Sequence, residues 1–299
     1  MEKQRTALVT GAGKGLGAAF ARGLATDGNA VIVNNRSHDG QPSSAKQVAD
    51  DLIAQDFRAS HDDHPVDGTG AAEAIISHAV DSWGGLDILV LNAGITGPAA
   101  KVGSLADADI RAVMEINFHA NTALVDAALP HLMASSAGRI LFIASSAGLY
   151  GVRGRASYAA SKGALIAYAR TLADELARTS VRVNILAPYA ATNMTAGQGE
   201  DLDQILHPDK AAAAAIWLTR PECQRTGEIW ITGGDYFCRA AATENIGGGT
   251  PDASADWFGE NVQRLSAMEN GREHVGAEAA FADFFHRIQA IQPTEGEIE

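Results

Sequence analysis

Tyr158 and Lys162 stand four residues apart in Tyr158-Ala159-Ala160-Ser161-Lys162. On a helix, positions i and i+4 share a face, so a phenol and an ammonium would meet there. A neighbouring cation favours phenolate and draws a tyrosine down from its usual pKa of about 10, which makes it a usable acid and base. The same pair is also what an ordinary solvated helix face carries. Thirteen positions earlier, Ser145 opens Ser145-Ser146-Ala147-Gly148 directly after an apolar run. A hydroxyl at that point can bind a carbonyl oxygen.

A second constellation lies near the start, in Thr10-Gly11-Ala12-Gly13-Lys14-Gly15-Leu16-Gly17. Glycines between a strand and a helix let the backbone turn sharply and approach a pyrophosphate, whose charge the helix N-terminus favours. The spacing is Gly11-x-x-x-Gly15-x-Gly17, with Leu16 where the G-x-G-x-x-G pattern has its last glycine. Either a nucleotide site or a tight structural turn would use such a run.

These residues need elements to hold them. Five apolar runs, Ala7–Thr10, Ala30–Asn34, Leu86–Leu91, Arg139–Ala144 and Val181–Leu186, read as strands buried on both faces, and Glu228–Ile231 as a last one. Between them, Leu16, Phe20 and Leu24 mark a helix after the first strand. Ser44-Ala45-Lys46-Gln47 has capping-box spacing ahead of Val48 and Leu52, and Leu165, Leu172 and Leu176 mark a long helix from near Ser157. Strand and helix alternate, which predicts a Rossmann-type α/β fold: a doubly wound parallel sheet of about seven strands with helices on both faces.

One such domain is expected over residues 1–237. Beyond it, Ile246-Gly247-Gly248-Gly249-Thr250-Pro251 breaks the pattern, and Trp257, Phe258, Phe281 and Phe284 suit short amphipathic helices. Residues 238–299 are therefore expected to form an acidic extension packed on the core or on a neighbouring subunit. They hold 11 acidic and 4 basic residues, so this stretch carries −7 of the net −13 of the 299-residue chain. Acidity without a basic cluster argues against a nucleic-acid partner. No apolar run approaches the roughly 20 residues that span a bilayer, and the N-terminus lacks a signal-peptide profile. Cys223 and Cys238 lack the short paired spacing of a metal site. A cytoplasmic protein with no membrane partner and no metal is expected.

Taken together, the glycine turn, Asn92-Ala93-Gly94 after a strand, Asn117, Ser145 and Tyr158-x-x-x-Lys162 resemble the short-chain dehydrogenase/reductase family, in order and spacing, from about Thr6 to Gly234. The resemblance implies an NAD(P)-dependent oxidoreductase acting on CH–OH groups. Tyr158 would pass the proton, Lys162 would lower its pKa and hold the nicotinamide ribose, Ser145 would orient the carbonyl, and Asn117 would hold a water of a proton relay. Gly11, Gly13, Lys14, Gly15, Leu16 and Gly17 would cradle the cofactor. Asn92, Ala93 and Gly94 would line its adenine-ribose side, with Asp67 at the adenine, and Pro188 and Thr192 would face the nicotinamide. Tyr189 stands where the family has glycine, which puts the backbone of that turn in doubt.

An acidic residue at the end of the second strand would select NAD, because it binds the ribose 2′-OH and repels a 2′-phosphate, whereas an arginine accommodates the phosphate. The chain reads Asn34-Asn35-Arg36-Ser37 there, so NADP is expected in preference to NAD, with Asn35, Arg36 and Ser37 as contacts. The alternative leaves Arg36 in solvent and gives the discrimination to His38-Asp39.

Within the family, Ala187-Pro188 with Met194-Thr195, Leu206-His207-Pro208, Ile216-Trp217-Leu218 and Pro221-Glu222-Cys223 resemble the (3R)-hydroxyacyl-CoA dehydrogenase modules of peroxisomal multifunctional β-oxidation enzymes. Two substrate classes stay open: a 3-hydroxyacyl/3-ketoacyl-CoA, or a small ketone, steroid or other alcohol. Arg153 and Arg155 would either meet an acyl-CoA phosphate at the rim or lie in solvent. A catalytically silent nucleotide-binding scaffold or sensor is a third reading. The small-residue helices around Asn121–Met133 and Ala156–Ala177, with the resemblance, imply a homodimer or homotetramer.

Overall fold

The computed structural model describes residues 4–38, 40–190, 204–251 and 253–291. Two compact units divide the chain, Met1–Arg239 and Ala240–Glu299.

In the first unit, β1 (Thr6–Val9), β2 (Ala30–Asn34), β4 (Ile88–Leu91) and β5 (Arg139–Ile143) are buried at every residue. They are joined by β3 (Ala59–Asp62), β6 (Arg182–Tyr189), β7 (Ile229–Gly233) and β8 (Tyr236–Ala240) in one sheet of order β3-β2-β1-β4-β5-β6-β7-β8. The pairs from β3 to β7 are all parallel, with Leu8 opposite Ile32 on one side and Leu89 on the other. The fold is the doubly wound α/β sheet the sequence predicts, with eight strands instead of about seven. The two strands absent from the apolar runs, β3 and β8, are the sheet's two edges. Edge strands keep solvated positions, so their residues, such as Ser60-His61 and Tyr236-Phe237, form no apolar run.

Helices α1 (Gly15–Thr26), α2 (Ser44–Ile53) and α8 (Pro208–Thr219) cover one face, where Phe20, Leu24, Leu52, Ala215 and Leu218 join Val9, Val31 and Leu141 in a single core. On the other face lie α3 (Ala71–Trp83), α5 (Ala120–Ala134) and α7 (Ala156–Glu175). The short α4 (Asp107–Met114) leads into α5, and α6 (Ser146–Tyr150) follows β5. The cap of α2 differs from the expected box. Ser43 is the N-cap, its hydroxyl accepting from the Lys46 N–H at 3.0 Å, while Ser44 is already helical and its hydroxyl accepts from Asn35 Nδ2 at 2.8 Å. Among the described residues no helix is long and apolar enough to cross a membrane.

The second unit holds β9 (Thr243–Glu244) paired antiparallel with β10 (Arg272–Glu273), and helices α9 (Ala255–Leu265) and α10 (Ala277–Ile291). No residue of either helix is buried; Phe258, Phe281 and Phe284 are each more than half exposed.

Candidate active site

At the carboxyl ends of β1, β2 and β4, where the strand order reverses between β1 and β4, a cleft of about 770 Å³ opens. A crevice at such a switch point is where doubly wound sheets bind ligands, and its size is that of a small-molecule site. Its floor is the turn from β1 into α1. Gly11 lies at φ +62°, and a Cβ there would come within 2.8 Å of the Ala93 backbone, so only glycine fits. Lys14 caps α1 without any side-chain hydrogen bond, and the first turn holds no acidic residue. The helix therefore presents unfilled N–H groups and its positive dipole end beside the cleft.

A hydrogen-bonded clamp holds this floor. Thr10 Oγ1 accepts from the Asn92 and Ala93 N–H groups at 3.0 and 3.1 Å, and Asn92 Nδ2 donates back to the Thr10 and Gly11 carbonyls at 2.9 and 3.1 Å. The Asn-Ala-Gly segment thus braces the glycine turn across 82 residues of chain. Thr10 is a part of the site that sequence reasoning passed over; its only signal was its place next to Gly11.

Of the expected cofactor contacts, Gly11, Lys14, Gly15, Leu16, Gly17, Asn35, Arg36, Ser37, Asp67, Asn92, Ala93 and Gly94 line the cleft. Gly13 does not; its position backs onto Ser44 and Asn35 instead. Pro188 is half-buried in β6, away from the cleft lining, and Thr192, Met194, Thr195 and Asp39 lie outside the described residues. Tyr189 leaves no irregularity: β6 runs through it in register with Gly233. Arg36 is exposed and has no hydrogen bond or ion pair among the described residues, while the Ser37 N–H donates to the Asp63 carbonyl at 3.2 Å. These features fit a dinucleotide, with the pyrophosphate at the glycine turn and the adenosine toward Asn35, Arg36 and Asp67.

Gly94 is where the cleft meets a second, polar cluster. A Cβ on Gly94 would lie 3.1 Å from Asn117 Oδ1 and 3.5 Å from Lys162 Nζ. Asn117 is fully buried: Oδ1 accepts from the Ile95 N–H at 2.8 Å, and Nδ2 donates to the Ile95 carbonyl and to Ser161 Oγ, both at 2.9 Å. Ser161 Oγ donates to the Tyr158 carbonyl at 2.8 Å. Lys162 Nζ donates to the Ile143 carbonyl at 2.7 Å and sits 5.9 Å from the centre of the Tyr158 ring. Ser145 is extended at the end of β5, and its hydroxyl accepts from the Ala147 N–H at 3.2 Å. The four expected catalytic residues are thus placed by β5, α7 and the turn before α5, on the same edge of the sheet as the cleft.

Burial sets the electrostatics of the pair. Burial pushes Tyr158 above its ordinary value, and a hydrogen bond with Ser145 pulls weakly the other way. Burial also brings the Lys162 ammonium from 10.5 down to about 8, and its Nζ donates to the Ile143 carbonyl. Arg155 is half-buried and one nitrogen of its guanidinium donates to the Gly97 carbonyl, while Arg153 is exposed.

Fold and site together define a dinucleotide-binding α/β protein with a Ser–Tyr–Lys cluster beside the cleft. Residues 5–203 match the family model for short chain dehydrogenase, and the chain belongs to that family as an oxidoreductase. It is 30% identical over 301 residues to peroxisomal multifunctional enzyme A of Dictyostelium discoideum, covering 99% of this chain and 67% of that protein. Against peroxisomal multifunctional enzyme type 2 of Mus musculus the identity is 32% over 246 residues; the match takes in 81% of this chain and spans only 33% of the mouse protein. Among solved structures, a short chain dehydrogenase from Mycobacterium avium superposes with a TM-score of 0.78 at 29% identity, over 90% of this chain and 96% of that one.

Proposed function

We propose that the protein interconverts a secondary alcohol and a ketone with NADP(H), and that its substrate is a 3-hydroxyacyl/3-ketoacyl-CoA thioester. The observation that carries the chemistry is the grouping of Ser145, Tyr158 and Lys162 beside a cleft that fits a dinucleotide. The nicotinamide, when bound, supplies or accepts the hydride. Negative charge on the substrate oxygen is met by the Tyr158 and Ser145 hydroxyls, fixed on a helix and a strand end. A phenol held above its ordinary pKa keeps its proton at neutral pH and gives it to that oxygen. Lys162, buried below the phenol, supplies a nearby cation while its ammonium stays protonated.

Arg36, exposed at the cleft and without a partner among the described residues, together with an amide rather than a carboxylate at Asn35, supports NADP(H). The acyl-CoA reading is supported by the match to multifunctional enzymes running through both units of the chain. Oxidation of NADPH and of NADH with a panel of small ketones, steroids and 3-ketoacyl-CoA thioesters tests all of this. Turnover highest with NADPH and a 3-ketoacyl-CoA is expected. Turnover of small ketones alone would replace the substrate class, and tight dinucleotide binding without any turnover would make the chain a sensor.

A further inference from the structure

Between α4 and α5, residues 115–119 form a single π turn, in which the Ala120 N–H reaches back five residues to the Glu115 carbonyl. Such a turn carries donors past their usual acceptors and leaves nearby carbonyls short of a partner. Asn121, the second residue of α5, supplies a donor. Its Nδ2 donates to the Asn117 carbonyl at 2.7 Å and reaches the Ile116 carbonyl at 3.5 Å. The side chain is 1% exposed, and its Oδ1 has no partner among the described residues. An unpaired buried acceptor is destabilising, so what this amide contributes lies in its donor.

Asn117 in turn joins two parts of the site. Its side chain holds both backbone groups of Ile95, which lines the cleft, and Ser161 Oγ on the helix that carries Tyr158 and Lys162. Relaxing the π turn to a regular α turn would slip the register by one residue. That slip rotates Asn117 by about 100° around the helix axis, away from both partners.

We propose that Asn121 is a positioning residue: its carboxamide holds the π turn in register and so keeps Asn117 bridged between Ile95 and Ser161. Its consequence for turnover rests on the dehydrogenase reading above; its consequence for Asn117 does not.

The test compares Asn121→Thr with Asn121→Val, which are nearly equal in shape. In a helix a threonine hydroxyl can donate to the carbonyl four residues back, here Asn117, whereas valine has no donor. The first readout is amide hydrogen exchange at Ile95 in the full chain. We expect exchange about tenfold faster in the valine variant and within about twofold of wild type in the threonine variant. Equal exchange in the two overturns the proposal. The second readout is kcat against pH, where the valine variant should lose about tenfold and shift its profile while threonine retains both. Separation in exchange with identical kcat profiles overturns the positioning role in catalysis. Absence of turnover in wild type would sink the dehydrogenase reading, and Ile95 exchange would still decide the rest. Should Asn121→Val not fold, Asn121→Ser against Asn121→Ala asks the same question with smaller side chains.

Discussion

The two ends of the central sheet use polar groups in opposite ways. At the amino end, Arg139 is buried and spends every N–H on backbone carbonyls: Arg220, Gly138, Ser180, Pro221 and Cys223, at 2.8 to 3.2 Å. Arg5 beside it reaches the Thr219 and Ala137 carbonyls, and Asp87 ties the Thr6 N–H to the Ser135 hydroxyl. At the carboxyl end, the α1 N-terminus has no side-chain cap, and among the described residues Arg36 has no partner and the Tyr158 phenol has Ser145 alone. One end is closed by internal bonds and the other holds its groups ready for a ligand. Stability should therefore be concentrated at the first and activity at the second.

Tyr158→Phe should break that comparison most visibly. Removing the proton donor is expected to lower turnover by about 10²- to 10⁴-fold, with unfolding free energy changed by no more than about 1 kcal/mol. Steady-state rates and urea denaturation of the same preparation read both. Survival of activity would mean the proton comes from another group.

Arg139→Met is the converse. It strips several buried carbonyls of their donors at roughly 1–3 kcal/mol each, so a loss of about 3–5 kcal/mol in stability is expected. Burial and the nearby Arg5 bring this guanidinium down to about 10, so it remains charged at neutral pH. Turnover per folded molecule should stay near wild type. A variant that unfolds no more easily than wild type would show that the amino end is not the clamp described above.

The smallest effect sharpens the carboxyl end. Lys162 is held at about 8 in the folded protein and returns to about 10.5 on unfolding. Below about 8 the native state bears the full desolvation cost of the ammonium. Between the two values the unfolded chain binds a proton the native chain lacks, so stability rises with pH across that window. Relative to Lys162→Met, wild type should gain stability from about pH 8 to about pH 10 in denaturant titrations. Parallel curves for the two proteins would place the ammonium in a more solvated site.

The interior strands and the glycine turn were legible because a parallel strand covered on both faces must be apolar, and a chain turning beneath a phosphate must be glycine-rich. Local spacing drew attention to Tyr158, Lys162 and Ser145, but their roles were legible only through the family resemblance of the motifs together. The edge strands β3 and β8 escaped because half-solvated strands keep polar residues. Thr10, Ser161 and Asn121 escaped as functional residues for another reason. Thr10 bonds Asn92 across 82 positions, and Asn117 bonds Ser161 across 44. Even the short-range bond from Asn121 to Asn117 lies at a π turn that no residue type announces.

The sequence by itself determined the periodicity of the elements, the flexible turn under the cleft and the phenol–amine pair on one helix face, since each is a local property of residue type and spacing. Only the tertiary structure decided that the phenol's pKa rises rather than falls. Burial depends on what the sheet and its helices fold over, and here it outweighs the hydrogen bond with Ser145.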